Sequence, residues 1–217
     1  CQDSKERMLK KIGVDNVDIP AATARGIVVM NTPGGNSVST AEHSVAMLMS
    51  LARNVPQATA SVKAGRWDKA AFTGVELVGK TIAVLGLGKV GREVAQRANG
   101  LHMRVLGYDP FMTDETIQSY GTQPARLEQV WAEADFLTFH LPLTPQTKHY
   151  LSTAQLAECK DGIRIINCAR GGVVDEAALL ASLESGKVAG VALDVFEDEP
   201  PAADSKLVAH ENVICTP

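Results

Sequence analysis

Residues Thr81–Gly91, which read TIAVLGLGKVG, decide the fold of this 217-residue chain. Thr81–Leu85 is a mostly apolar run without a polar break, the pattern of a strand buried on both faces of a parallel sheet. Gly86-Leu87-Gly88-Lys89-Val90-Gly91 follows as G-x-G-x-x-G. A helical pattern starts at once, with Val90, Val94, Ala95 and Ala98 on one face. The order has a chemical logic. Gly86 permits a tight turn out of the strand, Gly88 carries no Cβ to block a pyrophosphate, and Gly91 lets the helix pack close to the sheet. The helix N-terminus then offers unpaired N–H groups and a partial positive charge to phosphates.

Glycine-rich loops are common, so the weight lies in the context. A second strand is predicted over Arg104–Tyr108, ending at Asp109, 18 residues past Gly91. That is close to the spacing of an acid that bonds the adenine-ribose hydroxyls. A carboxylate there favours NAD and repels the extra phosphate of NADP. The bland alternative is a structural glycine turn and an aspartate that merely opens the Asp109-Pro110 turn. Strand, loop, helix, strand and acid falling in register favour the dinucleotide.

Further strands are expected at Asp135–Phe139, Ile163–Asn167, Val188–Leu193 and Asn212–Cys215, with helices at Thr113–Tyr120, Leu127–Ala132, Thr153–Cys159 and from the Asp175 cap to Ser185. This alternation is that of an α/β fold, a doubly wound parallel sheet. Upstream, Gly13–Asp18 reads as a turn and short strand, Ile19–Arg25 as one or two helical turns stopped by Gly26, and Ile27–Met30 as a short strand. Ser37 or Ser39 is a candidate cap for a helix to about Arg53, with Glu42 completing a capping box after Ser39. That helix is apolar nearly all round, so it is buried, or half buried with the rest in a subunit interface. His43 on it reads as a core or interface histidine rather than a ligand, and Trp67 as a packing anchor.

In such sheets ligands sit beyond the carboxyl ends of the strands. There the chain places Gly86–Gly91, Asp109, His140-Leu141-Pro142, Cys168-Ala169-Arg170-Gly171-Gly172 and Asp194. Arg170 follows a buried strand and precedes two glycines that leave room around it. A guanidinium there can hold a substrate carboxylate with paired hydrogen bonds. The alternative is an ion pair with Asp175 or Glu176 on the surface, worth little. Glu199 lies in an acidic run before prolines and by itself reads as a solvated loop.

Composition narrows the functional classes. Hydrophobic residues make up 45% of the chain, enough for a core, and the net charge is −4. That balance argues against a nucleic-acid surface but not against a dinucleotide held by backbone N–H groups. The cysteines show no C-x-x-C or framework spacing, which suggests a reducing compartment and no metal site. Without a signal-like or membrane-spanning apolar run, the expectation is cytoplasmic, with no membrane partner.

GLGKVGREVA, YDP, NCARGGVVDEAAL, GVALDVFEDEPP and HENVICTP together resemble the D-isomer-specific 2-hydroxyacid dehydrogenases, over roughly Gly13 to Pro217. GVDNVD, VMNTPGGNS and NCARGG point within that family to the branch that oxidises 3-phosphoglycerate in L-serine biosynthesis. The resemblance implies a Rossmann-type NAD-binding domain over 31–217, with residues 1–30 a remnant of the substrate-binding domain and hinge. It implies that Lys89 and Val90 give N–H groups to the pyrophosphate. Leu141 and Pro142 would border the adenine, and Cys168, Ala169, Arg170 and Asp194 the nicotinamide. Arg170 would bind the substrate carboxylate, and Glu199 would orient an acid–base histidine. In the family that histidine follows the last strand in a Pro-His pair. The chain stops at Pro217, so it is expected to bind NAD while being catalytically impaired. The helix over 37–53 resembles the family's dimerisation helix, implying a homodimer and a higher homo-oligomer for the full-length protein. Ile12 stands where the family commonly has a cofactor-touching Thr, and Leu141 where this branch often has Thr. Two alternatives remain at this point: an NAD(H)-sensing interaction module of the corepressor type, and a glyoxylate or hydroxypyruvate reductase.

Overall fold

A computed structural model describes residues 8–11, 17–31 and 34–217. The chain divides into two compact units, residues 1–39 and 40–217. In the first, β1 (Met8–Lys11) and β2 (Val28–Asn31) pair in parallel, with α1 (Ile19–Ala24) between them in sequence. The Asp18 carboxylate caps α1 by accepting the Ala21 N–H at 2.8 Å. The chain leaves α1 through Gly26 at φ +67°, the expected stop. The short strand read over Gly13–Asp18 falls mostly outside the described residues. Its described end, Val17 and Asp18, is not strand.

The second unit is a seven-stranded parallel sheet. Its strands are β3 (Thr81–Leu85), β4 (Arg104–Tyr108), β5 (Gln123–Pro124), β6 (Phe136–Phe139), β7 (Ile163–Asn167), β8 (Val188–Leu193) and β9 (Val213–Cys215). Their spatial order is β5-β4-β3-β6-β7-β8-β9. The chain runs outward one way from β3, then returns to β6 and runs outward the other way. The reversal opens a crevice at the carboxyl ends of β3 and β6. The connecting helices are α4 (Lys89–Gly100), α5 (Asp114–Ser119), α6 (Leu127–Glu133), α7 (Thr153–Glu158), α8 (Glu176–Glu184) and α9 (Lys206–Ala209). Before them come α2 (Ser37–Arg53), which opens at the junction of the two units, and α3 (Val55–Lys63).

The alternation along each strand explains the two layers. Ala83 and Leu85 join one core with Leu137, Phe139, Val130 and Leu179. Ile82 and Val84 join the other with Leu48, Leu51, Ala95 and Ala98. All five residues of β3 are buried, as its unbroken apolar run requires. Val90 is only half-buried; the inner face of α4 is Gly91, Val94, Ala95 and Ala98.

Two readings are corrected, and two elements are added. The helix α2 begins at Ser37, so Ser39 lies inside it and donates to the Asn36 carbonyl at 3.0 Å; no capping box forms with Glu42, whose carboxylate instead faces Arg97 at 3.5 Å. Trp67 is no packing anchor: it is 76% exposed, with the Lys69 ammonium 5.7 Å from its ring centre. And β5 and α9 were not legible. β5 is two residues long, and its proline is tolerated because it sits at the sheet edge.

Phe139 is fully buried against β3 and β7. Phe139→Ala should cost about 3–5 kcal/mol, seen as a lower urea midpoint at unchanged slope. Gln96→Ala on the exposed face of α4 should stay within about 0.5 kcal/mol.

Candidate functional site

The turn after β3 is shaped by two close approaches. Gly86 sits at φ +90°, and a Cβ there would lie 2.6 Å from the His140 carbonyl oxygen. A Cβ on Gly91 would overlap the Gly86 carbonyl oxygen. Gly88 differs: it is exposed, and a Cβ would meet nothing within 4 Å, so open space lies over it. Gly88 is also the N-cap of α4, and no side chain caps that helix. The first-turn N–H groups at Lys89 and Val90 are thereby left for an outside acceptor.

Asp109 closes the outer side of this turn. Its Oδ2 accepts the Leu87 N–H at 3.0 Å, and its Oδ1 accepts the Phe111 N–H at 3.0 Å. The backbone follows suit: the Gly86 N–H donates to the Tyr108 carbonyl at 2.9 Å. The carboxylate at the tip of β4 is therefore part of the glycine turn. Each of its oxygens keeps a further lone pair for a hydroxyl. A groove of about 630 Å³ opens beside Asp109, lined by Tyr108, Met112, Pro124 and Leu127 among others.

Across the crevice, His140 ends β6, with Nε2 3.0 Å from Thr138 Oγ1. Desolvation pulls its pKa down to about 4, so it is neutral at physiological pH and suited to packing. Leu141 is half-buried against Gly86, and Pro142 is exposed. His210 lies near the surface, its Nδ1 accepting the Asn212 N–H at 3.1 Å.

The loop after β7 is organised by Asn167, a polar residue 2% exposed at the end of an apolar strand. Its Oδ1 accepts the Ala169 N–H at 3.1 Å, and its Nδ2 donates to the Arg170 carbonyl at 3.0 Å. Cys168 is buried, and burial pushes its thiol up to about 12. Arg170 stands exposed at the rim, Nη1 donating to the Ala169 carbonyl at 2.6 Å. Asp175 caps α8 through the Ala178 N–H, and Glu176 Oε1 accepts the Glu197 N–H at 2.7 Å. The expected reason for the first of the two glycines after Arg170 is corrected. A Cβ on Gly171 would overlap the Phe196 carbonyl oxygen, so this glycine lets the two loops touch rather than clearing space around the guanidinium. Glu199 is exposed in the second of these loops, its Oε1 accepting the Phe196 N–H at 3.2 Å.

Asp194, just past β8, is held by His43, which the sequence marks only as a core or interface histidine, and by Thr216, which it does not single out. Its Oδ1 lies 3.0 Å from His43 Nε2 and 2.5 Å from Thr216 Oγ1. No local pattern signals this trio. Asn167 was more accessible to inspection, because a polar residue closing an apolar strand has to find partners.

A glycine turn at a strand reversal, an uncapped helix N-terminus and an acid at the next strand tip define a Rossmann-type dinucleotide-binding domain. The chain belongs to the D-isomer specific 2-hydroxyacid dehydrogenase family, whose NAD binding domain matches residues 45–217. It is 56% identical over 205 residues to D-3-phosphoglycerate dehydrogenase of Rattus norvegicus, covering 94% of this chain and 38% of the rat protein. It is 52% identical over 206 residues to D-3-phosphoglycerate dehydrogenase of Bacillus subtilis, covering 95% and 39%. The chain thus spans under half the length of these relatives. Among solved structures, D-lactate dehydrogenase from Aquifex aeolicus complexed with NAD and lactic acid is 31% identical with a TM-score of 0.84, over 97% of this chain and 68% of that one. The apo D-lactate dehydrogenase of Escherichia coli is 30% identical with a TM-score of 0.88, over 97% and 67%. NAD fits the residues present: the space over Gly88, the free N–H groups of α4 and the Asp109 carboxylate meet the needs of a pyrophosphate and a ribose diol.

Gly171→Ala should destabilise the protein by about 1–3 kcal/mol by forcing the two loops apart, measured as a lower thermal midpoint. Iodoacetamide at about pH 8 should label exposed Cys215 before Cys159 and Cys168, whose buried thiols are held near 11 and 12; peptide mapping reads the order.

Proposed function

We propose that this chain is the nucleotide-binding part of an NAD-dependent D-3-phosphoglycerate dehydrogenase, which oxidises D-3-phosphoglycerate to 3-phosphohydroxypyruvate in L-serine biosynthesis. The identity of 56% to the rat enzyme supports this branch over the glyoxylate reductases, one of which has a solved structure 33% identical to the chain. The observation that carries the reading is Asp109 bonded to the Leu87 N–H, which fixes an acid beside an open glycine turn.

The bound cofactor supplies the hydride acceptor; the chain's own residues bind and orient. Lys89 and Val90 would donate backbone N–H groups to the pyrophosphate, for which the exposed Gly88 leaves space. Asp109 accepts from the adenine-ribose hydroxyls, and its negative charge disfavours a phosphate there. Leu141 and Pro142 would border the adenine. Cys168, Ala169 and Asp194 border the nicotinamide. Cys168, kept as a neutral thiol, contributes an apolar wall rather than a nucleophile.

Arg170, at the rim of that pocket, takes the substrate carboxylate with paired hydrogen bonds. Glu199 is the group that orients an acid–base histidine. Among the described residues no histidine bonds Glu199, so these 217 residues are expected to bind the cofactor with little turnover. Residues 1–30 are read as the remnant of the substrate domain and hinge. Association of two copies through α2, and a cytoplasmic setting, complete the reading. No helix among the described residues is long and apolar enough to cross a membrane.

Calorimetric titration with NADH and NADPH tests the proposal. The chain should bind NADH at least tenfold more tightly than NADPH, and Asp109→Ala should weaken NADH and narrow the gap. Losing a bond to a charged acceptor costs about 1.5–3 kcal/mol, or roughly ten- to a hundredfold. Equal or tighter binding of NADPH by the unmutated chain would overturn the cofactor assignment.

A further inference from the structure

The Asp194 carboxylate is gripped at one oxygen. Oδ1 lies 2.5 Å from the Thr216 hydroxyl and 3.0 Å from His43 Nε2, and those two lie 2.9 Å from each other. One proton arrangement satisfies all three contacts. The imidazole N–H is shared between Asp194 Oδ1 and Thr216 Oγ1, and the hydroxyl donates to Oδ1. Oδ2 has no hydrogen-bond partner among the described residues. The Asp194 backbone is fixed as well, its N–H donating to the Asn167 carbonyl at 3.0 Å. The side-chain torsions are then the remaining freedom, and the His43–Thr216 pair removes it. His43 comes from α2, 151 residues from Asp194 in sequence, so this contact is tertiary.

Oδ2 offers an acceptor on a half-buried side chain, 27% exposed, that lies near enough to the buried Cys168 for its charge to be felt by that thiol. The nicotinamide end of a dinucleotide carries one strong donor, its carboxamide NH₂. We propose that His43 is a positioning residue: with Thr216 it holds Asp194 by one oxygen so that the other meets the carboxamide. This rests on the cofactor reading above, and it adds a residue from α2 to the machinery that orients the nicotinamide ring. A carboxylate already locked in place loses no rotamer freedom when the ligand arrives, an advantage of about two- to tenfold in affinity.

The competing role is purely structural, a tether between α2 and the end of the sheet. Titration of the 217-residue chain with NADH and with ADP-ribose separates the two, because ADP-ribose keeps the adenosine and pyrophosphate but lacks the nicotinamide. His43→Leu is expected to weaken NADH about two- to tenfold and leave ADP-ribose unchanged. His43→Gln, whose amide nitrogen reaches a similar point as a donor, should restore most of the loss. Thr216→Val, which removes the other donor to the same oxygen, should repeat the Leu pattern. An equal loss for both ligands, or no loss for NADH, overturns the positioning role while leaving the cofactor site standing. Failure of the unmutated chain to bind either ligand overturns the cofactor reading, and this inference with it.

Discussion

The contact of Gly91 with the Gly86 carbonyl is the constraint on which the rest of the site depends. No side chain fits between them, so α4 can start directly over the end of β3. That seating aims the first-turn N–H groups of the helix into the crevice, where no side chain caps them. It also brings the Leu87 N–H to the Asp109 carboxylate, so the acid and the turn form one rigid piece. A pyrophosphate and its ribose would meet donors and an acceptor that need no rearrangement, which is where affinity for a flexible ligand is otherwise lost.

The remaining polar residues follow from the topology. A parallel sheet buried on both faces leaves most of its polar groups to stand at or beyond its strand ends. Asn167, Asp194 and Thr216 all stand at or just past such ends, on three adjacent strands. Asn167 satisfies the turn that carries Arg170, and Gly171 allows that turn to lie against the backbone of Phe196. The loops bearing Arg170 and Glu199 are thereby neighbours, although 29 residues separate the two side chains in sequence.

Much of this was legible in the chain because the signals are local. The unbroken apolar run of β3, the spacing of Gly86, Gly88 and Gly91, and the acid closing β4 each depend on backbone chemistry within a few residues. The same is true of Asp175 as the cap of α8 and Gly26 as the stop of α1. Where the pattern is short or mixed, inspection failed. β5 is two residues at an edge, with a proline in it. Ser39 and Glu42 have the spacing of a capping box but lie one turn too late, because the chain had already become helical at Ser37. Trp67 looked like an anchor because aromatic residues are so often buried, and it stands in solvent instead.

The sequence by itself determined the doubly wound sheet, the glycine turn and the acid beside it, since periodicity and turn chemistry act over short distances. Only the tertiary structure decided that His43 of α2 meets Asp194, that Asn167 holds the Arg170 turn, and that Gly171 serves contact rather than clearance. Those partners lie on different segments. Which of them touch is settled by how helices and loops pack on the sheet, and no spacing along the chain encodes it.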